Sequence, residues 1–152
     1  MRRGVTRAGQ ERILERVRGA VPGIALRTTF IVGFPGETEA DFDELMDFVG
    51  TNGFARVGVF TYCQEAGTPA ALLPGQVPEE IKMDRQRRLM ELQAEISERQ
   101  HATLVNTIVP VMLDGTSSEH ELLLAGRLES QAPEVDGQVL ITSAPEGVKP
   151  GQ

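Results

Sequence analysis

Phe30-Ile31-Val32-Gly33-Phe34-Pro35-Gly36-Glu37-Thr38 is the stretch on which the fold turns. Its first residues close an apolar, β-branched run that starts at Ile24 and is short enough for a buried strand. Gly33-Phe34-Pro35-Gly36 reads as a turn, because glycine and proline punctuate local structure. Thr38-Glu39-Ala40-Asp41 has the form of a capping box, a hydroxyl followed three residues later by an acid, so a helix is expected to start there. Phe42, Leu45, Met46 and Val49 recur at helical spacing, and Asn52-Gly53 supplies the stop. A second strand follows over Arg56-Val57-Gly58-Val59-Phe60-Thr61-Tyr62. Strand, helix and strand joined by short turns make the βαβ unit of a parallel sheet, and burial on both faces accounts for the nearly continuous apolar strands. The expected architecture is α/β.

Upstream, Thr6 is placed to cap a helix in which Ile13, Leu14 and Val17 share a face, broken by Val21-Pro22-Gly23. Downstream, residues 64–76 hold Gly67, Pro69, Pro74 and Gly75, too broken for regular structure. They follow the C-terminal end of a strand, where α/β folds place their ligand loops. From Pro78 one long surface helix is expected to about His101, with Ile81, Leu89, Leu92 and Ile96 as its apolar positions. Its Arg85, Arg87 and Arg88, interleaved with Glu91 and Glu95, read as a solvated face. The periodicity then changes. Ile108 to Leu113, Glu121 to Ala125 and Gln138 to Thr142 are three short strand candidates, separated by turn signals at Asp114-Gly115, Gly126 and Asp136-Gly137. This is a small all-β module, and the closing Lys149-Pro150-Gly151-Gln152 reads as a turn leading into a further strand, so the module is expected to be incomplete.

Composition narrows the chemistry. The chain has 152 residues, 40% hydrophobic and 24% charged, the balance of a globular protein. No apolar run approaches the roughly 20 residues that span a bilayer, and the polar start after Met1 is unlike a signal peptide, so a cytoplasmic location is the default and no membrane partner is expected. The single cysteine, Cys63, cannot by itself hold zinc or an iron–sulfur cluster, so no metal site is assigned to this chain. His101 and His120 have no ligand partner at recognisable spacing and read as surface or capping residues. Of the formal charge of −7, residues 106–152 carry two basic and seven acidic side chains. Such a tail repels phosphate backbones, which argues against direct nucleic-acid binding. The turn lacks the Lys-Ser/Thr pair of a P-loop and the G-x-G-x-x-G of a dinucleotide fold, so it is not a phosphate cradle of either kind. Two readings of it remain: a ligand-free strand, turn and capped helix, or a place where Gly33 and Gly36 let a flat adenine approach the backbone while Ile31 and Phe34 supply apolar contact. Glu37 likewise has two readings, an acid favouring the positive end of a helix or a hydrogen-bond acceptor for a ligand; the first is preferred.

The same residues resemble the radical-SAM methylthiotransferases. Arg27 through Thr38 is similar to the strand-and-turn motif of the second half of their barrel, ending in Gly-x-Pro-Gly-Glu-Thr. Met1-Arg2-Arg3-Gly4, Gly58-Val59-Phe60-Thr61-Tyr62, Glu65-Ala66-Gly67-Thr68-Pro69-Ala70-Ala71 and Val77-Pro78-Glu79-Glu80-Ile81-Lys82 resemble successive landmarks of that family. Leu89 to Ser97 resembles its linking helix, and the β module resembles a TRAM domain. Gly126-Arg127, Ala132-Pro133-Glu134-Val135-Asp136-Gly137 and Val148-Lys149-Pro150-Gly151 resemble the RimO branch, which methylthiolates an aspartate of the ribosomal protein S-twelve.

The resemblance implies residues 1–97 as the C-terminal half of a radical-SAM, partial TIM-type barrel and residues 98–152 as an incomplete TRAM domain. It implies S-adenosylmethionine and two 4Fe–4S clusters as cofactors of the parent protein, with Ile31, Val32, Gly33 and Phe34 on the S-adenosylmethionine wall and no catalytic residue in this chain. The cluster cysteines of the family, including its Cys-x-x-x-Cys-x-x-Cys motif, are missing, and Cys63 stands where a small polar residue is expected. The chain is therefore expected to be a fragment at both ends, inactive alone, whose partners are ribosomal protein S-twelve as substrate and the missing N-terminal half of the same protein. Two alternatives stay open: a fragment of a tRNA methylthiotransferase of the MiaB type, which a basic stripe on the TRAM surface would favour, and a non-catalytic module that binds a ribosomal partner.

Overall fold

In the computed structural model, residues 5–145 and 147–152 are described, and the chain divides into two compact units, Met1–Ala102 and Thr103–Gln152. Met1-Arg2-Arg3-Gly4, one of the resemblance landmarks, lies outside the described residues.

In the first unit, α1 (Arg7–Ala20) begins at Thr6, whose side chain accepts from Gly9 N. Strand β1 (Arg27–Val32) pairs in parallel with β2 (Arg56–Thr61), in register from Arg27 opposite Arg56 to Val32 opposite Thr61. The strand expected from Ile24 starts three residues later because its partner does: Leu26 O accepts from Ala55 N and Arg56 N, where β2 arrives. Between the strands, α2 (Glu39–Asn52) forms the anticipated capping box, with Thr38 Oγ1 accepting from Asp41 N and the Asp41 carboxylate accepting from Thr38 N at 2.8 Å. Replacing such a cap costs a helix about 1 kcal/mol. The left-handed Gly53 ends the helix.

Val32, Phe42, Phe48, Val49, Phe54, Val57 and Val59 form the core together with Leu89 and Ile96 of α3 (Glu79–Ala102). That helix is not the solvated surface helix that its charges suggest. Lys82, Arg85 and Gln93 are buried on the same face as Leu89 and Ile96, whereas Ile81 is exposed. The reason is the sheet: Gln86 Nε2 donates to Val59 O at 2.7 Å, Gln93 Nε2 to Phe54 O at 3.3 Å, and Lys82 Nζ to Tyr62 O at 2.9 Å. Buried carbonyls need donors, and long polar side chains supply them where no further strand lies. The loop 64–76 is also less irregular than expected, since Pro69–Leu72 form a 3-10 turn capped by Thr68.

The described residues of this unit hold a two-stranded parallel sheet, not a closed barrel. Side chains alternate across it. Val57 and Val59 face the core, while Phe60, opposite Ile31 in the register, is 62% exposed.

The second unit is a three-stranded antiparallel sheet, β3 (Met112–Thr116), β4 (Leu124–Arg127) and β5 (Val139–Ile141), in sequential order. Two expected turns are strand. Asp114-Gly115 lies within β3, where the register to β4 slips between Leu113 and Gly115, and Gly126 sits inside β4. Local turn signals yield here to cross-strand pairing, and the slip absorbs the extra residue as a bulge would. Of the run from Ile108, only Met112 and Leu113 enter the sheet, and Ile108 is fully exposed. Leu113 is also bonded to the chain end, its N donating to Gln152 O at 2.8 Å and its O accepting from Gly151 N at 2.8 Å.

Gly126 packs without a side chain for want of space: a Cβ there would stand 2.6 Å from Val111 Cγ1 and 2.7 Å from Met112 O. Overpacking against backbone forces strands apart, so Gly126→Ala should cost this module about 2–3 kcal/mol. Amide exchange read at β3 and β4 checks this, and unchanged protection would contradict the packing described.

Candidate functional site

A cleft of about 1000 Å³ follows β1 from Leu26 to Ile31, flanked by Gln10, Ile13 and Leu14 of α1. It ends beyond the strand tips at Phe34, Tyr62 and Cys63, with Glu65 and Thr68 of the following loop on its rim. That end alone lies beyond the C-terminal tips of the parallel strands, where α/β sheets place ligands. Phe34 and Tyr62 meet edge to face with ring centroids 5.3 Å apart. The lining is mostly apolar with a few polar groups, Gln10, Thr28, Thr29 and Glu65 among them, the mixture that orients an organic ligand.

The four residues singled out from the sequence divide. Ile31 and Phe34 line the cleft. Val32 is fully buried in the core and does not line the cleft. Gly33 has φ +74°, and the space its side chain would occupy is filled by the stem of Lys82. Neither glycine amide is open to a ligand: Gly33 N donates to Glu37 Oε1 at 2.9 Å and Gly36 N to Gly75 O at 2.8 Å. The turn therefore offers apolar side chains, with the amides of both glycines already taken.

What holds the turn was not visible in the pattern. Glu37 Oε1 accepts from Arg85 Nη1 at 2.7 Å as well as from Gly33 N, and Arg85 also reaches Glu37 O at 3.3 Å and Glu39 at 3.2 Å. Arg85 is 4% exposed, so the guanidinium expected on a solvated face is interior. Glu37 thus holds an ion pair that neither reading of it from the sequence contained. Glu39 is bridged by Arg88 and then by Arg85, which holds its carboxyl below the usual carboxylate range. Asp41 is lowered as well, by its hydrogen bonds from Thr38. Lys82, Arg85, Leu89, Gln93 and Ile96 recur at helical spacing, so the buried stripe becomes legible once Leu89 and Ile96 are taken as its anchors.

Cys63 is exposed at the cleft rim. His120 caps a turn, its Nδ1 accepting from Leu122 N at 3.1 Å, and His101 is exposed near the end of α3. Among the described residues no three His, Cys, Asp or Glu side chains are grouped to hold a metal ion, and no helix is long and apolar enough to cross a membrane.

A parallel βαβ unit with a strand-end cleft, followed by a small antiparallel module, defines the class: an α/β protein with an appended β domain. The module matches the TRAM domain over residues 105–152. Across 132 residues, 87% of its length, this chain is 52% identical to the ribosomal protein uS12 methylthiotransferase RimO of Syntrophobacter fumaroxidans, covering 30% of that protein. The protein of the same description from Geotalea uraniireducens is 48% identical over 143 residues, 94% of this chain and 32% of its own length. That from Pelotomaculum thermopropionicum is 50% identical over 132 residues, 87% of this chain and 30% of its own. The chain is homologous to the RimO-family methylthiotransferases and spans about a third of their length.

Proposed function

We propose that this chain is the part of a radical-SAM methylthiotransferase that contributes one wall of the S-adenosylmethionine site and the substrate-docking TRAM domain. On this reading residues 1–97 belong to a partial TIM-type barrel, and the intact enzyme transfers a methylthio group to an aspartate of ribosomal protein S-twelve in the cytoplasm. The observation that carries it is the 48–52% identity with the RimO proteins over 87–94% of the chain.

The cleft is large enough for a nucleoside-sized ligand. Ile31 and Phe34 would pack on it, with Gly33 and Val32 fixing the turn from behind, and Thr28, Thr29 and Gln10 lie within the same cleft to take polar groups. S-adenosylmethionine supplies the radical precursor when bound; the protein's part is to bind it, orient it and exclude water. The iron–sulfur clusters do not fit this chain, because each needs several cysteines and the sequence has one, so no step through them is assigned to its residues.

The TRAM module would meet a basic protein surface. Among residues 103–152 there are seven acids, and of the two basic side chains Arg127 is ion-paired with Asp114. That charge attracts a basic polypeptide and repels RNA, which favours the ribosomal protein over a tRNA substrate. The test is an NMR titration of the 152-residue chain with S-adenosylmethionine. Shift changes should concentrate at Ile31, Phe34 and Tyr62 and disappear in Phe34→Ala; saturation with no perturbation at the cleft would overturn the site assignment.

A further inference from the structure

We infer that Arg85, acting through Glu37, is a positioning residue for the cleft: it fixes the turn that aims Phe34 at the ligand without touching the ligand itself. The inference rests on the S-adenosylmethionine reading of the cleft and adds to it a residue on α3 that the site motif does not contain.

The turn Gly33-Phe34-Pro35-Gly36 is pinned at both ends. At its start, Gly33 N donates to Glu37 Oε1. At its end, Gly36 N donates to Gly75 O. Phe34 lies between these pins, and its ring sets the cleft's end wall against Tyr62. The first pin depends on where the Glu37 carboxylate stands, and that is set from 48 residues away by Arg85, which holds both the backbone carbonyl and the side chain of Glu37.

A carboxylate that accepts one backbone amide and carries no countercharge would be drawn toward water and away from Gly33. The guanidinium prevents this. Its fork bonds Glu37 with one nitrogen and Glu39 with another while its central carbon lies 5.5 Å from the centre of the Phe42 ring. The side chain of Arg85 is 5% exposed and that of Glu37 is 14% exposed, so water screens the pair weakly. Arg85 is not part of the cleft lining. Its effect on a ligand is therefore indirect, and the shortest route runs through Glu37 and the turn.

Lysine separates positioning from folding. It restores the positive charge beside Glu37 but, as a point charge, cannot engage Glu37 O, Glu37 Oε1 and Glu39 together. The experiment compares the 152-residue chain with Arg85→Lys, Arg85→Met and Glu37→Gln. It reads the melting midpoint, the cross-relaxation between the Phe34 and Tyr62 rings, and the affinity for S-adenosylmethionine.

Arg85→Lys is expected to recover most of the melting midpoint lost in Arg85→Met, yet to bind about tenfold more weakly than the parent, because small misplacements of a positioning group cost affinity steeply. Its Phe34–Tyr62 ring contact should weaken in parallel. If affinity and ring contact recover together with stability in Arg85→Lys, or persist in Arg85→Met, Arg85 only stabilises the fold and the inference is overturned. Should Arg85→Met fail to fold, Glu37→Gln replaces it, since the amide oxygen can still accept from Gly33 while the ion pair is gone; an undisturbed ring contact there is equally contrary. If the parent chain itself does not bind S-adenosylmethionine, the reading of the cleft falls, and the ring contact in the variants still decides whether Arg85 positions Phe34.

Discussion

Gly33→Ala should lower the stability of the first unit by about 3 kcal/mol, from two separable causes. Gly33 has φ +74°, and an L-residue in the left-handed region costs roughly 1–2 kcal/mol. A methyl group would also overlap Lys82 Cγ and crowd its Cδ at 3.1 Å, and forcing atoms into filled space adds about 1–3 kcal/mol. The two parts come apart in a double-mutant cycle with Lys82→Ala. That change empties the space beneath the turn but leaves the backbone conformation as it was, at the expense of the bonds from Lys82 Nζ to Tyr62 O and Glu79. The pair should therefore be less destabilised than the sum of the single variants by about 1–2 kcal/mol. Urea unfolding followed at β1 and β2 resonances gives all three values. Strict additivity would mean that the alanine methyl and the lysine stem do not compete for the same volume, and a Gly33→Ala loss below about 1 kcal/mol would mean that the turn relaxes out of the left-handed region.

The parts of this fold that could be read from sequence are those whose cause is local. Thr38 and Asp41 are three residues apart and complete each other's hydrogen bonds, so the start of α2 is written in four residues. The β-branched run into Val32 and the run from Arg56 likewise declare themselves. What could not be read depends on partners distant in the chain. The burial of Lys82 and Gln93, and the bond from half-buried Gln86, follow from α3 lying along carbonyls of β2 and its flanks, and nothing in the helix's own sequence states which carbonyls it will meet. Asp114-Gly115 and Gly126 carry turn chemistry but are claimed by pairing across β3 and β4. At the site, Val32 is fully buried in the core while Ile31 lines the cleft, a difference the apolar run itself does not announce. Gly33 invites a reading as room for a ligand, whereas the room is taken by a lysine 49 positions later in the chain.

Phe42→Ala should be the most damaging single change in the first unit, at about 4 kcal/mol, because a buried Phe→Ala change loses transfer energy and leaves a cavity. Phe42 is fully buried among the core residues that include Val32, Val49 and Leu89. Its ring carries a second function, since the guanidinium carbon of Arg88 lies 4.7 Å and that of Arg85 5.5 Å from its centroid. Phe42→Leu keeps most of the volume and removes the aromatic face, so its loss should be about 1–2 kcal/mol, the range of a partly desolvated cation–π contact plus a shape change. The ratio of the two variants thus measures how much of the position is volume and how much is the platform beneath two arginines. If Phe42→Leu were as stable as the parent, the arginines would gain nothing from the ring. If it were as damaged as Phe42→Ala, shape and aromatic contact would outweigh volume. Because Arg85 is the residue that holds Glu37 over Gly33, the leucine variant should also weaken the Phe34–Tyr62 ring contact at a temperature where the first unit remains folded. The core of this unit and the wall of its cleft are then one mechanical chain, running from Phe42 through Arg85 and Glu37 to the turn.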